Sequence, residues 1–353
     1  MEKRAVTDRQ NHQMSKVPIG IVSGFLGAGK TTLLNRVLTG EHGRRIAVLV
    51  NDFGEINIDA QLITQIEGQK ISLANGCVCC TIRDDLVQAV AELIDEAPRP
   101  DYILIETSGV SDPAAAAMGI TMSTQLGPLA RIDAIVTIVD AENVSRLPTE
   151  QKSLATDQIE AANILLVNKT DLVSDQAVEA TRSWIREISP RARIIETIDC
   201  ELPITLLFDL DGLDERRETV PPRGERSREH THHHTEFATW SRTIGKPLAF
   251  RPVYELFKTL PLSIFRAKGI LYLSEVPDKR VILQMVGERV TLSKGEPWNE
   301  TSPRSQIVAI GIAGKFDERE LSNQIMACVS DGEREPPEEN RLADAVIEIL
   351  RRP

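Results

Sequence analysis

Residues Gly24–Thr31 read Gly-Phe-Leu-Gly-Ala-Gly-Lys-Thr, which satisfies G-x-x-x-x-G-K-[ST] at every fixed position and adds Gly27 inside it. No other feature restricts the fold of this chain so tightly. Such a loop works between a buried strand that holds its start and a helix whose N-terminus faces the bound group. The apolar run Ile19–Ser23 and the helical pattern Thr31–Leu38 meet that demand on either side. The residue types follow from the chemistry. Glycines let backbone N–H groups turn inward around phosphate oxygens without a Cβ clash. Lys30 supplies a point charge to the β and γ phosphates, and the hydroxyl of Thr31 ligates Mg2+. Gly24, Gly27, Ala28, Gly29, Lys30, Thr31 and Thr32 are therefore the expected phosphate contacts. The competing reading is a glycine-rich turn in some other α/β protein.

The pattern around the loop agrees with it. Ile19–Ser23, Ile46–Val50, Tyr102–Glu106, Ala134–Asp140 and Ile164–Val167 are short, β-branched and apolar at nearly every position. Strands buried on both faces read this way. Helical segments Thr31–Leu38, Arg83–Glu96 and Gln176–Ile188 lie between them. The alternation predicts a doubly wound α/β domain with a mostly parallel sheet over residues 16–212. A charged stretch, 213–236, carries Pro221-Pro222 and four histidines and reads as a mobile linker. Beyond it, Pro252–Lys258 looks helical, and Gly269–Ser274, Arg280–Val286 and Ile307–Ile312 look like strands. They predict a second, smaller α+β domain over 237–330. Residues 1–15 read as a disordered lead, and 331–353 as a polar segment closed by a helix, Arg341–Arg351.

Charge and composition exclude some partners. At a formal net charge of −11, and without a basic stripe, the 353-residue chain is not built to hold nucleic acid. No apolar run approaches a membrane span or a signal peptide, so no membrane is expected and the default compartment is the cytosol. Three of the five cysteines crowd into four positions, which suits a metal or redox site better than a disulfide framework.

A phosphate loop of this type needs an acidic group at the end of a neighbouring strand, to hold Mg2+ or its waters. Glu106 ends the run Tyr102–Ile105 and opens Glu-Thr-Ser-Gly, so that Gly109 can bring its N–H to the γ phosphate. The competing reading is that Glu106 merely caps a strand. Asp140 ends another strand, in a structural or a catalytic role. Asn168-Lys169-Thr170-Asp171 follows Ile164–Val167 and is the N-K-x-D arrangement of guanine-specific GTPases. The Asp171 carboxylate would accept two hydrogen bonds from guanine, and adenine would leave it unpaired. Asn168 can steady the loop, and the Lys169 stem can cover the base.

Cys77, Cys79 and Cys80 lie in Asn-Gly-Cys-Val-Cys-Cys, with no second cysteine pair elsewhere; Cys200 and Cys328 are single. Clustered thiolates suit Zn2+ or Cu+ in an incomplete, exchangeable site. Cys77 and Cys80 also stand at C-x-x-C spacing, so a redox pair is an alternative, and inert buried thiols are another. His230, His232, His233 and His234 would serve as an accessory metal collector, or as a solvated loop with no role.

Together these motifs make the chain resemble the CobW-like GTPases, proposed metal chaperones related to the GTPases that assist nickel insertion into urease and hydrogenase. The resemblance rests on Ser23–Thr32, Asn51–Glu55 (Asn-Asp-Phe-Gly-Glu), Gly76–Cys80, Glu106–Gly109 and Asn168–Asp171, and in the smaller domain on Arg266–Gly269 and Gln306–Gly311. It covers about Val17 to Gly314. The family implies slow GTP hydrolysis, Zn2+ or Co2+ bound near Cys77, Cys79 and Cys80, a contribution of Glu55 to the metal site or the switch, and metal gathering by histidine-rich stretches. Some relatives carry a glutamate where this chain has Val50, so a metal site built on that carboxylate would differ here.

The expected activity is hydrolysis of GTP to GDP and phosphate, coupled to metal delivery to a client metalloprotein. Water would attack in line, positioned by Glu106 or Asp52. A nucleotide- or metal-dependent homo-oligomer is compatible with this. The alternatives are a GTP-switched regulator with little catalytic role and an ATP-dependent small-molecule kinase on the same fold.

Overall fold

The computed structural model describes residues 16–40, 42–51, 70–73, 81–209, 236–299 and 301–330. It shows a doubly wound parallel α/β architecture together with a separate, antiparallel C-terminal sheet. By compactness the chain divides into two units, Met1–Ala161 with Asp199–Gly212, and Ala162–Ile198 with Leu213–Pro353.

The first unit contains β1 (Val17–Gly24), α1 (Lys30–Thr39), β2 (Ile46–Asn51), β3 (Lys70–Leu73), α2 (Thr81–Asp95), β4 (Tyr102–Glu106), α3 (Pro113–Met122), β5 (Ala130–Asp140) and α4 (Thr149–Ala161). Its strands run parallel in the order β3-β2-β4-β1-β5. Alternation of side chains along each strand explains why nearly every position is apolar. Val17, Ile19 and Ile21 join Ala47, Leu49, Ile103 and Ile105 in one core with Leu86, Val90 and Leu93 of α2 and Ile120 of α3. The intervening residues Val22, Val48 and Leu104 are equally buried and face the other way, and α1, packed on β1, buries Leu33, Leu34 and Val37. Helix α3 starts on a signal of its own. Asp112 accepts a hydrogen bond from the Ala114 N–H at 2.7 Å, and Pro113 occupies the first turn.

In the second unit β6 (Ile164–Asn168), α5 (Asp175–Ile188) and β7 (Ile194–Glu196) accompany a sheet of β8 (Phe237–Ile244), β9 (Ile264–Leu273), β10 (Val276–Val286), β11 (Arg289–Pro297) and β12 (Ser305–Ile312), with α6 (Phe250–Thr259) and α7 (Glu318–Ala327). The sheet is antiparallel in the order β11-β10-β9-β12-β8. One of its faces is core: Ala267, Leu271, Leu283, Met285, Ile307 and Ala309 pack with Phe250, Val253 and Phe257 of α6 and Leu321 and Ile325 of α7. The parallel pair β6–β7 is fastened to this domain by Arg193. Its guanidinium is buried and donates to the carbonyls of Pro261, at 2.7 Å, and Ile264. Burial, with Arg191 nearby, lowers its pKa to about 10, and Glu288 opposes that shift. Among the described residues no helix is long and apolar enough to cross a membrane.

Candidate nucleotide site

The phosphate loop is set by backbone geometry. Strand β1 ends at Gly24, whose φ of 136° lies outside the range of other residues, and a Cβ there would stand 2.3 Å from the Ile138 carbonyl of β5. Gly27 and Gly29 also have positive φ, and Gly29 caps α1. The first turn of α1 carries no acidic residue, so the positive end of the helix faces no carboxylate of its own. Ala28 is fully buried, and its N–H donates to the Phe25 carbonyl at 3.2 Å. Lys30 is buried as well. Its ammonium donates to the carbonyls of Gly24, at 3.0 Å, and Phe25, at 3.2 Å, inside the loop it serves. Thr31 is half-buried and Thr32 exposed, one residue apart in the same turn.

Glu106 closes β4 in register with Val22 of β1 and Val50 of β2, so parallel pairing places its carboxyl at the edge of the sheet where β1 runs into the loop. It is only 2% exposed. Its oxygens and the Thr31 hydroxyl are hard donors of the kind Mg2+ takes. The segment after it turns back on the loop, and a Cβ on Gly109 would lie 2.7 Å from the Leu26 nitrogen. The structure thus gathers Gly24, Gly27, Ala28, Gly29, Lys30, Thr31, Thr32, Glu106 and Gly109 in one unit. The Asp140 carboxylate accepts from the N–H groups of Glu142, at 2.9 Å, and Asn143, at 3.2 Å, and from the Asn143 amide at 2.9 Å.

The Asn168–Asp171 motif is held in the second unit. Asn168 ends β6 buried, and its Oδ1 accepts from the Thr197 hydroxyl at 3.2 Å. Lys169 adopts a left-handed conformation with φ 63°, which turns the chain into the short 3-10 helix Thr170–Leu172. The Thr170 hydroxyl donates to the Thr197 carbonyl at 3.2 Å, and Asp171 is exposed on that turn. Sequence reading misses Thr197 because nothing local marks it; its role arises only from the pairing of β6 with β7. Cys200, read from sequence as a distant single thiol, is buried with its Sγ 3.6 Å from the Gly29 carbonyl.

Asp52, Glu55, Cys77, Cys79, Cys80, His230, His232, His233 and His234 lie outside the described residues. Among the described residues no three His, Cys, Asp or Glu side chains group as metal ligands would.

Two family models match the chain. One described as "CobW/HypB/UreG, nucleotide-binding domain" covers residues 18–196, and one described as "Cobalamin synthesis protein cobW C-terminal domain" covers residues 237–329. A Dictyostelium discoideum protein named zinc-regulated GTPase metalloprotein activator 1 is 29% identical over 326 residues, 80% of this chain and 68% of its own. Its namesake in Schizosaccharomyces pombe is 35% identical over 206 residues, and the match spans 56% of this chain but only half of that relative. A Sinorhizobium protein named zinc chaperone CobW is 28% identical over 354 residues, covering 89% of this chain and 98% of the relative.

Proposed function

Since the chain belongs to the CobW/HypB/UreG family of P-loop GTPases, we propose that it couples hydrolysis of GTP to the binding and delivery of Zn2+, or Co2+, to a client metalloprotein. The observation that carries the nucleotide half is the phosphate loop itself. Gly24 has no room for a side chain, Gly29 opens a helix free of acidic residues, and the Lys30 ammonium is held by the carbonyls of Gly24 and Phe25. On nucleotide binding the Lys30 ammonium would exchange the carbonyls of Gly24 and Phe25 for β and γ phosphate oxygens. Thr31 and Glu106 would hold Mg2+, directly or through its waters; the ion, when bound, offsets charge on the phosphates. Gly109 would meet the γ phosphate, and Glu106 or Asp52 would orient the attacking water. Asp171, on a turn steadied by Asn168, Thr170 and Thr197, would read the guanine edge.

The metal half is supported by the names of the relatives and by the thiols Cys77, Cys79 and Cys80, which lie in the chain between β3 and α2. Glu55 would add a ligand or relay the nucleotide state, and the histidines at 230 and 232–234 would gather metal. The functional division at 16–212 and 237–330 belongs to the same reading and is supported by the two separate family matches. Competition binding tests the nucleotide half: GTP should displace a fluorescent guanine nucleotide and ATP should not, and equal displacement would contradict it. For the metal half, Cys79→Ser should weaken Zn2+ binding and leave GTP affinity unchanged; equal Zn2+ affinity in that variant would remove these thiols from the site.

A further inference from the structure

Helix α4 carries a glutamine that neither the phosphate loop nor the base-reading motif includes. Gln158 is 1% exposed. Its Nε2 donates both of its hydrogens to one short stretch of chain, the carbonyls of Gly109 and Ser111, each at 3.2 Å. A buried amide is tolerated only where its polar atoms are met, so a helix whose other buried residues in this stretch include Ala155 and Ile159 keeps Gln158 for those contacts. The helix is tied down at the same residue, because the Thr137 hydroxyl of β5 donates to the Gln158 backbone carbonyl at 2.9 Å. On its other side the segment meets the phosphate loop, with Gly109 against Leu26. Thr107 continues the β4–β1 ladder, its N–H donating to the Val22 carbonyl at 2.9 Å. Residues 109–111 are therefore held between the phosphate loop and the Gln158 amide.

From this we infer that Gln158 is a positioning residue for hydrolysis: it fixes the peptide carbonyls of Gly109 and Ser111, and so the direction in which the Gly109 backbone meets the γ phosphate. The inference rests on the reading of Gly109 as the γ-phosphate contact. Gln158 touches no reacting atom. It acts through the backbone, and its effect falls on the nucleotide that has a γ phosphate.

Gln158→Leu, Gln158→Glu and wild type, all as full chains, test this by steady-state GTP hydrolysis and by binding of GDP and a non-hydrolysable GTP analogue. Loss of two buried hydrogen bonds predicts a fall in kcat of about tenfold in Gln158→Leu. GDP affinity should stay within about twofold, because that ligand makes no γ-phosphate contact. In Gln158→Glu the ionised carboxylate would face two carbonyl oxygens, whereas the protonated form would donate to one of them. Burial and those oxygens raise the pKa of the new carboxyl, so kcat relative to wild type should rise as pH falls. A purely structural role would lower thermal stability and weaken GDP and GTP analogue alike. That result, or an unchanged kcat in folded Gln158→Leu, would overturn the inference. Failure of the proposed function gives a different signature: wild type itself would neither bind nor hydrolyse GTP.

Discussion

The two elements proposed to recognise the nucleotide are built by opposite means. The phosphate loop in the first unit is defined by backbone: three glycines at positive φ, a β1–β5 contact that excludes a side chain at Gly24, and a lysine bonded to the loop's own carbonyls. The Asn168–Asp171 turn in the second unit, proposed to read the base, is defined by side chains. Thr197 holds Asn168, Thr170 reaches back to Thr197, and Arg193 ties the strand leading to Thr197 to the carbonyls of the C-terminal domain. Phosphate is the same in every nucleotide, and a rigid ring of N–H groups suffices for it. A base must be told from its competitors, which requires a carboxylate at a defined place and hence a scaffold of side chains around it.

If the first element is backbone-defined, the largest losses should come from adding a single methyl group. Gly24→Ala places a Cβ 2.3 Å from the Ile138 carbonyl, so nucleotide binding by calorimetry should fall by at least about 100-fold, with a lowered Tm. Lys30→Ala keeps the backbone and removes the charge. GTP hydrolysis should drop by about 100-fold or more, while urea midpoints stay near wild type. A side-chain-defined second element predicts another pattern. Arg193→Leu should destabilise the second unit by about 3 kcal/mol in urea unfolding, because it removes a buried charged donor to two carbonyls. Thr197→Val, smaller still, should cost about 1 kcal/mol and weaken GTP a few-fold, with ATP discrimination reduced. The smallest effect concerns Cys328. Burial pushes its thiol up to about 11, so at neutral pH it should alkylate far more slowly than a free thiol until denaturant is added.

The same contrast explains what could be read from sequence. Backbone-defined features leave local marks: the spacing of glycines around Lys30, a strand apolar on both faces before them, and Glu106 at the end of another such strand. Asn168–Asp171 is visible for the same reason, as four adjacent residues. What holds them is not. Thr197, Arg193 and Gln158 act on partners brought near only by strand pairing or helix docking, and a threonine, an arginine and a glutamine carry no period. In the C-terminal domain, sequence reading finds β9, β10 and β12 in part, but not β8 or β11. Of the latter pair, the largely exposed Arg289–Pro297 alternates only through Val290 and Leu292 and is polar from Ser293 onward. Helix α3 was legible in principle, since Asp112-Pro113 is a start signal. The proposed Zn2+ ligands fall outside the described residues, so the sequence reading of them stands as a proposal to be tested in solution.

The claim that joins both sites is coupling: the nucleotide must change the hold on the metal. The direct measurement is a Zn2+ competition titration of the full chain against a chromophoric chelator, once saturated with GDP and once with a non-hydrolysable GTP analogue in Mg2+. The account predicts Zn2+ affinities that differ by at least about fivefold between the two states. Equal affinities in both states would contradict it, however tightly each ligand binds alone.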